Sequence, residues 1–229
     1  MRRKSIILTI VAAILYLSQS LIRGILIGTL NVNETFAELS SAFLVLLIIF
    51  FLIGKKERQS YFGIRLWECD NCFKINGLLF LIPLVNLPYL FFGARINIMV
   101  AVINSIFVGI MEELIFRGFL CRFIEEKSHE NRAIMISSLI FGVFHLVNIG
   151  SYPYLYVLLQ VLYAFAIGIV FATVFYKTKS ILNCIIVHSI VDILGSFEAE
   201  PIFAVEIIGT IICVLYAIYY YLFVRKQTA

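Results

Sequence analysis

Long apolar runs, separated by short polar or Gly/Pro-bearing breaks, occupy the chain from Ser5 to Val224. A membrane-spanning helix needs about 20 mostly apolar residues. Runs approaching that length extend from Ser5 to Ile27, Phe36 to Ile53, Ile75 to Phe92, Asn97 to Ile124, Ala133 to Ile149, Tyr152 to Tyr176, Ile181 to Ser196 and Ile202 to Val224. The run from Ile75 contains Pro83 and Pro88, which membrane helices tolerate as kinks. The run from Ile181 is short enough to be partly buried among its neighbours. The pattern predicts an all-α, polytopic membrane helix bundle of about eight transmembrane helices. No internal repeat, low-complexity tract or linker divides it, so residues 1–229 read as a single membrane domain.

Charge placement gives the bundle an orientation. With eight crossings and the first residues inside, Lys and Arg should concentrate on the inner loops. Of the 18 Lys and Arg, only Arg23 and Arg95 fall on the outer side, while Arg117 lies within a run. Both termini are therefore expected to be cytoplasmic, with Arg2, Arg3 and Lys4 opening a retained signal anchor. The basic loop from Gly54 to Lys74, with Tyr61, Phe62 and Trp67, suits the cytoplasmic interface.

Composition narrows the class further. At 62% hydrophobic and 14% charged residues, the chain is too apolar for a soluble domain, which carries about a quarter charged residues. A net charge of +4, spread over loop segments, leaves no nucleic-acid footprint. The expected partners are the lipid bilayer and a peptide or membrane-protein substrate, with no nucleic acid. Five cysteines are present, and Cys121, Cys184 and Cys213 sit in or beside apolar runs as packing residues. Cys69 and Cys72 form a CxxC without a second half to complete a zinc site.

The chemistry resides in the ionisable groups that the apolar runs carry. Each costs roughly 2.5 to 3.5 kcal/mol at a helix centre by insertion scales and so requires a reason. The fourth run holds Glu112, Glu113 and Arg117, the fifth His145, the seventh His188 and Asp192. Residues four apart share a helix face, and Glu113 before Arg117 is the favourable order for an intrahelical ion pair. Glu112, turned away by about 100°, is left as a candidate acid or base. His188 and Asp192 share a face in the same manner. At a rise of about 1.5 Å per residue, Glu112 lies about 18 Å from the cytoplasmic end of its run, His145 about 20 Å, His188 about 12 Å and Asp192 about 18 Å. The four could meet in one layer from three helices and satisfy one another's hydrogen bonds.

Read in order, EExxxR at Glu112 to Arg117, FxxxH at Phe141 to His145 and HxxxD at His188 to Asp192 resemble the CPBP family of intramembrane proteases. That family, also called Abi, groups CAAX prenyl proteases with bacteriocin-processing and self-immunity proteins. The resemblance covers the region from about Asn104 to Gly195, within a motif-bearing catalytic core of about 97–196. It implies that Glu112 activates the attacking water together with His145, that His188 and Asp192 stabilise the oxyanion, and that Arg117 anchors Glu113. One position departs from the prenyl-protease branch, which has Asn where this chain has Asp192. An ionised Asp cannot donate to an oxyanion, so Asp192 would act protonated, orient His188, or join a metal site.

Glu112, His145, His188 and Asp192 are also the candidate ligands for a divalent metal such as zinc. HExxH is absent, and no obligatory metal is expected. The expectation is an intramembrane endopeptidase in a bacterial plasma membrane, acting on a bacteriocin or pheromone leader or a CAAX-like tail. The alternatives are a non-catalytic partner in bacteriocin self-immunity or sensor-kinase regulation and, ranked behind it, a proton-coupled transporter. Outside the motifs, His129 and the acidic group Glu198, Glu200 and Glu206 read as solvated. Asn33-Glu34-Thr35 has the form of a glycosylation acceptor.

Overall fold

A computed structural model describes residues 14, 18–19, 21–66, 72–92, 97–198 and 202–226. Most of the signal-anchor run, the CxxC cysteine Cys69, and Trp67, Arg95 and Glu200 lie outside the described residues.

The described chain is helical, with one isolated bridge from Ile149 to Tyr152 closing a turn at Gly150, whose φ of 98° favours glycine. The helices are α1 (Leu21–Leu30), α2 (Glu34–Ile53), α3 (Lys56–Tyr61), α4 (Cys72–Leu79), α5 (Tyr89–Phe92), α6 (Ile98–Glu113), α7 (Arg122–Glu125), α8 (Glu130–Phe144), α9 (Tyr154–Thr178), α10 (Leu182–Gly195) and α11 (Phe203–Lys226). Asn33 of the acceptor-like triplet caps α2, its Oδ1 accepting from the Thr35 amide at 3.0 Å.

Among the described residues four helical segments are long and apolar enough to cross a membrane: Ile98–Glu125, Glu130–Asn148, Tyr154–Thr178 and Phe203–Val224. Leu21–Leu30, Thr35–Phe51, Lys74–Asn86 and Leu182–Gly195 are shorter apolar helices at the positions of the other predicted runs. The chain is thus an all-helical integral membrane protein. Large apolar side chains on the outer faces, among them Phe51, Leu215 and Ile208, remain exposed as a lipid-facing surface would require.

Two runs depart from the continuous helices expected of them. Ile75 to Phe92 is divided into α4, a 3-10 turn (Ile82–Asn86) and α5. Pro83 and Pro88 each remove a backbone donor, and the chain breaks there where a kink was expected. In the fourth run, α6 passes into a π-helix over Leu114–Cys121 before α7. Such wide turns are rare and recur at functional sites.

α9 runs through the middle, packed on α8 and α11, while α10 packs on α6 and the 3-10 turn, and α2 covers α6. Small residues permit the close crossings, as in membrane bundles generally. A Cβ at Gly142 would lie 2.8 Å from the Val161 carbonyl of α9, and one at Gly109 would lie 2.7 Å from Ser189 Oγ of α10.

At the basic end, Arg122 pairs with Glu125 at 2.9 Å, Glu125 with Lys179 at 3.2 Å, and Tyr61 bonds Glu126. Ser180 donates to the Arg65 carbonyl at 2.6 Å. These contacts hold the α3 loop against the ends of the long helices.

Candidate active site

The sequence places Glu112 and Glu113 at the end of α6, and consecutive positions on a helix face in different directions. Glu113 points into the protein and is fully buried; its Oε1 accepts from Arg117 Nη1 at 2.7 Å. The same oxygen lies 2.8 Å from His188 Nδ1. An oxygen already engaged by a guanidinium is an acceptor, so Nδ1 carries the hydrogen and donates. The Arg117 guanidinium is sandwiched by aromatic rings, 4.3 Å from the Phe141 centroid and 5.2 Å from Phe171. Cation and anion thus neutralise each other in a dry pocket, and aromatic faces add a further attraction.

On its other edge His188 meets two more carboxylates. Nε2 stands 3.6 Å from Glu112 Oε2 and 3.7 Å from Asp192 Oδ2. Both separations exceed hydrogen-bond length. The imidazole is therefore fixed at Nδ1 and presents Nε2 to two acids from two helices.

His145 comes from a third helix. α8 ends at Phe144, and a 3-10 turn over His145–Asn148 carries the ring. Its Nδ1 lies 3.0 Å from the Phe141 carbonyl. A carbonyl only accepts, so Nδ1 donates and the neutral ring keeps its lone pair on Nε2. Phe141 gives FxxxH a physical meaning: its backbone orients His145, and its ring touches Arg117, His145 (5.1 Å) and His188 (5.9 Å).

Glu112, His145, His188 and Asp192 line one cavity of about 430 Å³. The convergence expected from their depths is what the structure shows, while Glu113 and Arg117 lie behind it in the protein. Sequence reasoning missed much of the wall. Asn86, Asn104, Gln160 and Tyr163 line the cavity; Asn86 donates to the Val191 carbonyl at 3.1 Å and Tyr163 donates to Asn86 Oδ1 at 3.4 Å. A signal existed in these uncharged amides within apolar runs, which need partners for the same reason as the charges.

Glu198 and Glu206, read as solvated, also line this cavity. Tyr156 donates to Glu198 Oε2 at 2.8 Å. Burial raises the Glu198 carboxyl above the usual carboxylate range, and the Tyr156 hydrogen bond opposes the rise. His129 is exposed, as expected.

Among the described residues no group of three or more His, Cys, Asp or Glu is placed to hold an ion. His188 Nδ1 is committed to Glu113.

Residues 94–194 match the sequence model of a family described as type II CAAX prenyl endopeptidase Rce1-like. The matched region contains all three motifs and every residue of the His188 cluster, so the resemblance they carried is shown there. No curated protein matches the chain.

Proposed function

With residues 94–194 placed in the Rce1-like type II CAAX prenyl endopeptidase family, we propose that the chain is an intramembrane endopeptidase that hydrolyses a peptide bond through a water activated by Glu112 and His145. The observation that carries this reading is His188. It is clamped at Nδ1 by a buried Glu113–Arg117 pair and faces Glu112 and Asp192 with Nε2, at the floor of a cavity inside a membrane bundle.

Glu112 accepts a proton from water as its oxygen attacks the scissile carbonyl, and the His145 lone pair accepts a second hydrogen bond that aims the water. The carbonyl oxygen becomes an oxyanion. With Nδ1–H held by Glu113, a proton on Nε2 makes His188 a cation, the form that donates to that oxyanion. Glu112 then returns its proton to the leaving nitrogen, and the peptide bond breaks to give an acid and an amine. Asp192 stands beside Nε2 without a direct hydrogen bond to it. No step passes through a metal.

The bundle crosses the plasma membrane eight times with the basic loops and both termini in the cytoplasm, in accordance with the charge bias. The cavity, bounded by residues 147–156 and 195–198, then opens on the opposite face, which favours a leader or pheromone peptide over a cytoplasmic CAAX tail. A bacterial peptide-maturation or self-immunity system fits that geometry.

Cleavage of a peptide library by the purified protein in lipid tests the reading. Wild type should cut, Glu112→Gln and His188→Ala should not, and a chelator should leave the rate unchanged. Cleavage at wild-type rate by both variants would reject the site. A wild type that cuts nothing would favour a non-catalytic partner, and loss of cleavage with chelator alone would restore the metal.

A further inference from the structure

The cavity runs from the His188 cluster to the start of α9, the end of α10 and the start of α11. Apart from its two imidazoles, the charged lining is acidic: Glu112 and Asp192 at the floor, Glu198 and Glu206 at the mouth. Among the described residues no Lys or Arg lines it.

Several polar groups that line the same cavity are buried without partners. Thr210, one turn after Glu206 on α11, is 5% exposed, and its hydroxyl has no partner. Tyr89 is 3% exposed, and its hydroxyl also lacks a partner. Glu198 gives Oε2 to Tyr156, while its Oε1 is buried and unpartnered. All three residues line the same cavity. Buried oxygens without partners are costly and call for an explanation, which a bound ligand would supply. Two carboxylates in a lining without Lys or Arg call for a group that brings both donors and positive charge, which Lys and Arg side chains supply.

We propose that the cavity mouth is a cation subsite in which Glu198 and Glu206, with the Thr210 hydroxyl, receive a Lys or Arg side chain of the peptide substrate. The assignment rests on the peptidase reading of the floor. A short tail that laid its free C-terminal carboxylate in the same place would be repelled, so the subsite selects basic peptides over anionic tails.

The test uses the full chain in phosphatidylcholine nanodiscs, whose lipid carries no net charge. Matched peptides differ only in Lys, Gln or Glu at each position around the cleaved bond, and the readout is the ratio of kcat/KM for Lys over Glu peptides within each variant, which cancels any loss of folded protein. Wild type should favour Lys by about tenfold or more, the scale of one charge-assisted hydrogen bond. Glu206→Gln and Glu198→Gln should each lower the ratio, and Glu206→Lys should invert it. Cleavage without charge preference, or a preference that neither glutamate alters, overturns the subsite and leaves the peptidase reading standing. If no peptide is cut, anisotropy of fluorescent Lys and Glu peptides decides. Tighter binding of the Lys peptide that is lost in Glu206→Lys keeps the subsite and removes the peptidase; equal binding removes both.

Discussion

Two neighbours in the sequence, Glu112 and Glu113, occupy opposite kinds of space. Glu113 is sealed, with one oxygen shared by Arg117 and His188 and two aromatic rings closing over the cation. Glu112 lines the cavity and reaches His188 only at 3.6 Å. The dry side fixes the imidazole; the wet side leaves it room for a water and a substrate. A buried ionic group left without its partner is costly, so the dry side governs stability. Groups whose contacts to the reacting atoms form as the reaction proceeds govern rate.

The same isosteric change on each side should break the comparison cleanly. Glu112→Gln is expected to lower kcat/KM by roughly 10²- to 10⁴-fold, the scale of a lost general base, with no change in thermal midpoint. Glu113→Gln leaves Arg117 as a buried cation without its anion and should destabilise the protein by about 3–5 kcal/mol, seen as a lower midpoint in lipid. If Glu113→Gln melts with wild type while Glu112→Gln melts early, the assignment of dry and wet sides is reversed.

Much of this division was legible before the structure. The four-residue spacings gave the Glu113–Arg117 pair and the shared face of His188 and Asp192, and depth alone placed the four candidates in one layer. The Glu113–His188 bond was not legible, because hydropathy cannot tell an inward apolar face from a lipid-facing one in a membrane helix. Which helices touch was therefore open. The π-turn at Leu114–Cys121 left no mark in the sequence that periodicity could catch. Glu198 and Glu206 were misread because acids near a loop are solvated by default, and only tertiary packing turned them into cavity wall.

A smaller effect is expected behind the wet side, where α6 and α10 cross. A Cβ added at Gly109 would sit 2.7 Å from Ser189 Oγ and 3.3 Å from the Ile185 carbonyl. Gly109→Ala should cost about 1–3 kcal/mol by overpacking. Ser189→Ala removes the nearest clashing atom, and the Ser189 hydroxyl has no partner to lose. The double variant should recover part of the loss in thermal midpoint. A double variant no more stable than Gly109→Ala would put the strain in the backbone contact to Ile185.

Asp192 offers the finest cut, because it stands on the wet side yet within one turn of His188. Its side chain is 30% exposed, and its Oδ2 is 3.7 Å from Nε2, so no hydrogen bond is lost when the acid becomes an amide. Asn keeps the shape and adds a donor, which the prenyl-protease branch carries at this position. One acid disappears from beside His188, but Glu112 and Glu113 remain. Asp192→Asn should therefore keep kcat/KM within about tenfold of wild type, well short of the loss expected at a general base, and leave the thermal midpoint in place. A loss as deep as that of Glu112→Gln would mean that the Asp192 charge is itself part of the reacting set, and the wet side would then hold two essential acids in place of one.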